Sequence, residues 1–268
     1  MKGSIYRKVI LMVAIAVTFG FFNAFAEEVE EIKPTASADV GAFSKYVWRG
    51  FELSEDSLVI QPSITVEYKG FSMNLWGNLD TDNKATEDSE FNETDLTLAY
   101  DTSIGDFDMG LGYIYYALDA ANDPEEIYAS VCAAAIPLAP TLTIYRDIAE
   151  IIGWYLNLGV SHSFEFEKGI TLDLAGSIGY YYSDDDAFEE VDSKGNGTGD
   201  KYRDFHDGQL SASLTIPIDK YFTLTPMIAY SLPLSGNADD LITSYNDGLG
   251  YSDNSDYFYG GVTLSIAF

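Results

Sequence analysis

Apolar residues alternate with small or polar ones at every second position, in pieces of about ten residues, and this constrains the chain more than any other feature. Ile170, Leu172, Leu174, Gly176, Ile178 and Tyr180 share one face, and Thr171, Asp173, Ala175, Ser177 and Gly179 share the other. Trp154, Leu156, Leu158 and Val160 alternate in the same way with Gly153, Tyr155, Asn157, Gly159 and Ser161. Near the end, Val262, Leu264, Ile266 and Phe268 alternate with Gly261, Thr263, Ser265 and Ala267. A period of two belongs to a strand, and about ten residues is what a tilted strand needs to cross a bilayer. Soluble sandwiches also alternate, with one face packed on a core. Here the second face carries Gly, Ser, Thr, Asn and Tyr, as a polar barrel interior would.

The pattern predicts strands near 36–50, 57–68, 71–80, 91–101, 106–118, 125–135, 139–147, 152–166, 169–182, 208–217, 221–231 and 257–268. The links between them alternate short and long, which is the habit of barrels with short periplasmic turns and long outer loops. The expectation is an all-β fold, a transmembrane antiparallel up-and-down β-barrel of about twelve strands. A count of eight to ten is the competitor, should the weak strands 125–135 and 139–147 fail. Aromatics gather at strand ends, where interfacial girdles belong: Tyr46 and Trp48, Tyr113 and Tyr115, Tyr180 and Tyr182 at loop ends, and Tyr68, Tyr100 and Phe222 at turn ends.

The first residues assign a compartment. Lys2, Arg7 and Lys8 precede an apolar run, and Ala24-Phe25-Ala26 has the small-x-small form of a cleavage site. Residues 1–26 are therefore expected to be a signal peptide, 27–35 a short periplasmic segment, and 36–268 a barrel in the cell outer membrane. No later segment is a continuous apolar stretch of the length a membrane helix needs. Cys132 is the one cysteine and reads as a small buried residue. Acidic groups outnumber basic ones 43 to 14, for a net charge of −29, which opposes nucleic-acid binding and attracts cations. Aromatics at 15% argue against the disorder that such charge otherwise brings.

Strand parity places Asp39, Glu67, Glu93, Asp95, Asp108, Glu126 and Asp173 on the inward face, with Lys45 and Arg49 as inward bases and Trp76 as an inward ring. An acid-lined lumen favours cations. The functional expectation is passive diffusion of small solutes through a weakly cation-selective channel. The alternative is a closed barrel that serves as a structural or partner-binding surface protein. Arg49 is either a constriction element or structural glue. Arg146 falls outward near the rim, where lipopolysaccharide phosphates could meet it. The acidic runs in 183–207 and 232–256 read as solvated loops, with Asn196-Gly197-Thr198-Gly199-Asp200 the nearest approach to a calcium loop. His162 and His206 do not sit as members of a triad, and neither a cofactor motif nor a metal-ligand cluster is visible. The expected partners are outer-membrane lipid and lipopolysaccharide, small solutes or ions, and the barrel-assembly machinery through the terminal aromatic Phe268.

The segments Ser44-Lys45-Tyr46-Val47-Trp48-Arg49-Gly50, Gln61-Pro62 and Leu75-Trp76-Gly77-Asn78 resemble the opening of the TorF-like porin family. Residues 126–131, 141–145 and 153–164 are similar to its middle strands. The resemblance implies an outer-membrane barrel with no agreed substrate. The long acidic loops 183–207 and 232–256 depart from it.

Overall fold

The computed structural model describes residues 33–55, 57–83, 88–119, 121–184, 188–251 and 253–268. The expected leader and residues 27–32 lie outside the described residues. In chain order the strands are β1 (Thr35–Phe43), β2 (Val47–Trp48), β3 (Phe51–Glu52), β4 (Val59–Tyr68), β5 (Phe71–Asn83), β6 (Asp88–Ile104), β7 (Phe107–Leu118) and β8 (Glu125–Cys132). They continue as β9 (Thr141–Asp147), β10 (Gly153–Glu165), β11 (Thr171–Ser183), β12 (Glu189–Val191), β13 (Gly197–Lys201), β14 (Arg203–Pro217), β15 (Phe222–Pro233) and β16 (Tyr257–Ala267). An α-helix, α1, spans Gly236–Leu249.

Twelve strands close an antiparallel barrel in which β1 pairs with β4 on one side and with β16 on the other. Both weak strands form, as β8 and β9, with Tyr128 opposite Tyr145. Closure removes sheet edges, so the ladder satisfies the backbone without water, as a bilayer core demands. The links 69–70, 105–106, 133–140, 166–170 and 218–221 lie at one end and the long links 44–58, 184–202 and 234–256 at the other. The alternation in length is not strict, since 133–140 is longer than 119–124 and 148–152 at the long-loop end. Lys69 and Gly70 (φ 51° and 83°) form a left-handed two-residue turn between β4 and β5.

The two faces differ as the alternation requires. Val40, Ile64, Leu98, Leu111, Leu158, Ile178, Leu210 and Leu264 stand exposed on the outside, while Asn78, Tyr116, Glu126, Tyr155, Tyr181 and Tyr259 on the other face are buried. At the short-turn end Phe71 stacks on Tyr100, 4.7 Å between ring centroids, and at the long-loop end Tyr180 stacks on Phe205 at 5.3 Å. Leu158 lies mid-strand on the outer face, between Leu142 and Ile178. Leu158→Arg is expected to cost about 2–4 kcal/mol of folding free energy in lipid vesicles, measured by urea titration. Ser177→Lys, on the inner face, is expected to cost far less.

Three expectations need correction. The alternation runs on to residue 50, but β1 ends at Phe43 and the chain turns back through β2 and β3. β14 begins at Arg203 and not near 208, because a register shift between Ile178 and Tyr180 lets β11 pair further toward the loop. His206 is therefore a strand residue with no exposed surface. The link 232–256 is not simply a solvated loop, since it holds α1, with Ser235 as N-cap accepting from the Ala238 N–H and Gly250 at φ 75° as its left-handed stop.

Candidate constriction at the long-loop end

The link 44–58 folds into the barrel mouth. Val47-Trp48 pairs with Phe51-Glu52 around Arg49 and Gly50, at φ 47° and 82°. Two successive positive φ values make the hairpin turn that matches strand twist. Gly adopts this freely, whereas Arg49 is a non-glycine residue held there by its surroundings.

Those surroundings are specific. Arg49 donates to both carboxylate oxygens of Glu126 on β8, at 2.7 and 2.8 Å, and the Tyr116 hydroxyl donates to the same carboxylate at 2.8 Å. The guanidinium lies 4.4, 4.5 and 4.3 Å from the ring centroids of Trp48, Tyr145 and Tyr155. The side chains of Arg49 and Glu126 are only 9% and 5% exposed. A paired, ring-sandwiched cation suits burial in a way an isolated one does not. Behind it, Tyr155 donates to Asp207 at 2.9 Å. Gly179 leaves room for this, since a Cβ there would meet Asp207 Oδ1 at 2.2 Å and the Tyr155 hydroxyl at 2.4 Å.

Other parts of the hairpin dock as firmly. Lys45 pairs with the buried Glu52 at 2.7 Å, Tyr46 stacks on Trp76 at 5.5 Å, and the Ser57 hydroxyl donates to Asp80. Phe51 packs against His206 and Tyr245 with ring centroids 4.9 and 5.0 Å apart. α1 presses Leu241 and Ile242 into the same cluster as Phe51, Tyr155, Tyr181, Tyr202 and Tyr259, and Phe188 and Val191 from the 184–202 link pack against it. Tyr46 and Trp48 are thus interior residues and not girdle aromatics.

The inward expectations fall as follows. Asp39, Asp108 and Asp173 share the inner face and accept from Ser63, Ser103 and Ser163. Glu67 lies on the same face near the short turns, opposite Ser72. Trp76 and Asp95 are direct neighbours across β5 and β6, as are Asn78 and Glu93. The structure joins Arg49 to Glu126, and Lys45 to Glu52, but leaves Asp39, Glu67, Asp108 and Asp173 far down the strands from that layer. The same parity also carries Asp80, Asp101, Asp147, Glu165 and Asp207 inward, as counting in steps of two finds, Asp207 sharing the parity of Gln209 and Ser211. His206 is the residue that the β-bulge turns inward against that count, and no local signal marks it.

Arg146 points outward and bonds Asp184, its guanidinium 4.9 Å from the Trp154 ring. Cys132 is half-buried on the inner face, not fully buried, 3.7 Å from the Ala139 carbonyl. His162 stacks on Phe164 outside, and His206 Nδ1 lies 2.8 Å from the Tyr202 hydroxyl. In the 184–202 link, hydrogen bonds from Asn196, its backbone first, and from the Lys194 N–H hold the Asp192 carboxyl below the ordinary carboxylate range. The stretch expected to approach a calcium loop forms β13 and its turn.

A family model described as "Bacterial protein of unknown function (Gcw_chp)" matches residues 30–180. The chain belongs to this family. The match takes in β1 to β11 short of the last residues, and so the hairpin and Glu126 of this Gcw_chp barrel. The family description does not carry the TorF-like label that the sequence segments resemble. A search of curated proteins found none that matches. Among solved structures, the chain is similar to a "KdgM porin", with 13% identity over 87% of this chain and 99% of that one and a TM-score of 0.51. It is similar also to a "KdgM porin in complex with disordered oligogalacturonate", with 12% identity, the same coverage and a TM-score of 0.50. At such identities the likeness is one of fold.

Proposed function

We propose that the protein is a porin-like channel of the outer membrane, with its long loops outside the cell and a pathway narrowed by the 44–58 hairpin. The carrying observation is the contrast between the two ends of the lumen. Toward the short turns the inner wall is lined by small groups, Thr141, Gly159, Ser161, Ala175, Ser177 and Ser211, around a space of about 190 Å³. Toward the long loops it is crossed by the Arg49–Glu126 pair and its rings. The lumen carboxylates exceed the lumen bases Lys45 and Arg49, and Glu52 and Glu126 already balance those two. The surplus negative charge would favour small cations over anions. The extent of the packed layer favours a second reading, a barrel closed at rest that serves as a surface protein.

Planar-bilayer recording on refolded full-length protein separates the two. The channel reading expects small, discrete conductance steps and a reversal potential displaced toward the cation's equilibrium value in a salt gradient. A silent bilayer that stays silent after Arg49→Ala overturns it and leaves the surface-protein reading.

A further inference from the structure

A pocket of about 450 Å³ lies between the hairpin and the β7–β8 and β9–β10 links, and the constriction layer is its floor. Volumes of this size hold small organic ligands. Trp48, Phe51, Phe188 and Tyr245 are among the eight aromatic side chains that line it, together with Leu118 and Ile151. Its charged groups are Arg49, Glu93, Glu126, Asp147 and Glu150. Arg49 is already bonded to Glu126. The remaining charge is therefore carried by three carboxylates and is negative.

Aromatic rings with carboxylates around them select a ligand that is apolar in body and positive at one end. The geometry points to a binding site for a small aromatic amine in its ammonium form, seated above the Arg49–Glu126 pair. An anion of the same shape would meet the three acids, and Arg49 would be unable to help it without leaving Glu126. The rim acid Glu150 is held in place by Asn122, whose side-chain amide donates to it at 2.8 Å. Asp147 accepts the backbone N–H groups of Ala149, Glu150 and Ile151, which fixes the link that carries that rim. The site does not require that the barrel conduct.

The test is isothermal titration of the full-length chain, folded in detergent micelles, with phenethylammonium, 2-phenylethanol and 3-phenylpropanoate, with empty micelles as blank. Saturable binding of the cation is expected, at least about threefold tighter than the neutral alcohol, with the carboxylate weakest. Glu150→Gln should weaken the cation about two- to fivefold and leave the alcohol unchanged. Tyr245→Leu keeps apolar volume and removes a ring, and it should weaken the cation by a similar factor. Equal affinity for all three compounds, preference for the carboxylate, or heats that match empty micelles would overturn the assignment. No current is measured, so a failed titration and a silent bilayer are separate results.

Discussion

Arg49→Ala is expected to lower stability by about 3–5 kcal/mol and to raise single-channel conductance. The cost arises because Glu126 stays buried with only the Tyr116 hydroxyl donating to it among the contacts described above. An uncompensated buried carboxylate either loses its charge or draws in water. Pairing alone does not make such a bridge stabilising relative to apolar packing, so Arg49→Ala with Glu126→Ala should cost less than the sum of the two single changes. Denaturant titration in micelles of both single variants and the double variant measures that coupling. Arg49→Lys is also expected to fail as a substitute, since an ammonium cannot bond both oxygens in one plane or lie flat against the three rings. A conductance unchanged in Arg49→Ala would mean that the layer does not limit the pathway.

Gly50→Val tests the hairpin as a body. Its φ of 82° is closed to a β-branched residue, at about 1–2 kcal/mol. A Cβ would also lie 3.0 Å from the Cβ of Asp207 and 3.2 Å from Cδ1 of Ile242, which adds about 1–3 kcal/mol of overpacking. The hairpin is expected to leave the barrel mouth, with new protease cuts in 44–58 and a larger conductance. The barrel itself should still form, because its ladder uses only the ends of this link, Ser44 and Leu58, and the folded band on an unboiled gel should keep its mobility. Gly248→Ala is the control. It lies within α1 with open space around it and should be neutral or stabilising by about 0.5–1 kcal/mol. Protection of 44–58 in Gly50→Val equal to that of the parent chain would remove the case for a docked plug.

Strands were the most legible part because their signal is local and repeated. Leu156, Leu158 and Val160 point outward and Tyr155, Asn157 and Gly159 point inward wherever the strand sits, and the same parity turns Glu93, Asp95 and Glu126 to the inner face. The helix was legible in principle. Ser235, Asp239 in the first turn, Leu241, Ile242 and Tyr245 at helical spacing, and Gly250 form a start, a stripe and a stop. The acidic pair Asp239-Asp240 interrupts that stripe and equally suits a solvated loop. Tyr46 and Trp48 depart from the girdle expectation for a different reason. Aromatics at a strand end serve a girdle or a plug equally well, and only the course of the chain past Phe43 separates the two.

The residue pattern by itself determined a closed polar-lined cylinder with acids inside, because the choice of face at each step depends on nearest neighbours in the chain. Whether that cylinder is crossed by a plug was decided by tertiary structure alone. Arg49 and Glu126 are 77 positions apart, and no periodicity links them. Their pairing exists because a two-residue turn, permitted locally by Gly50, is seated by contacts from β8, β9, β10, β14 and α1 at once.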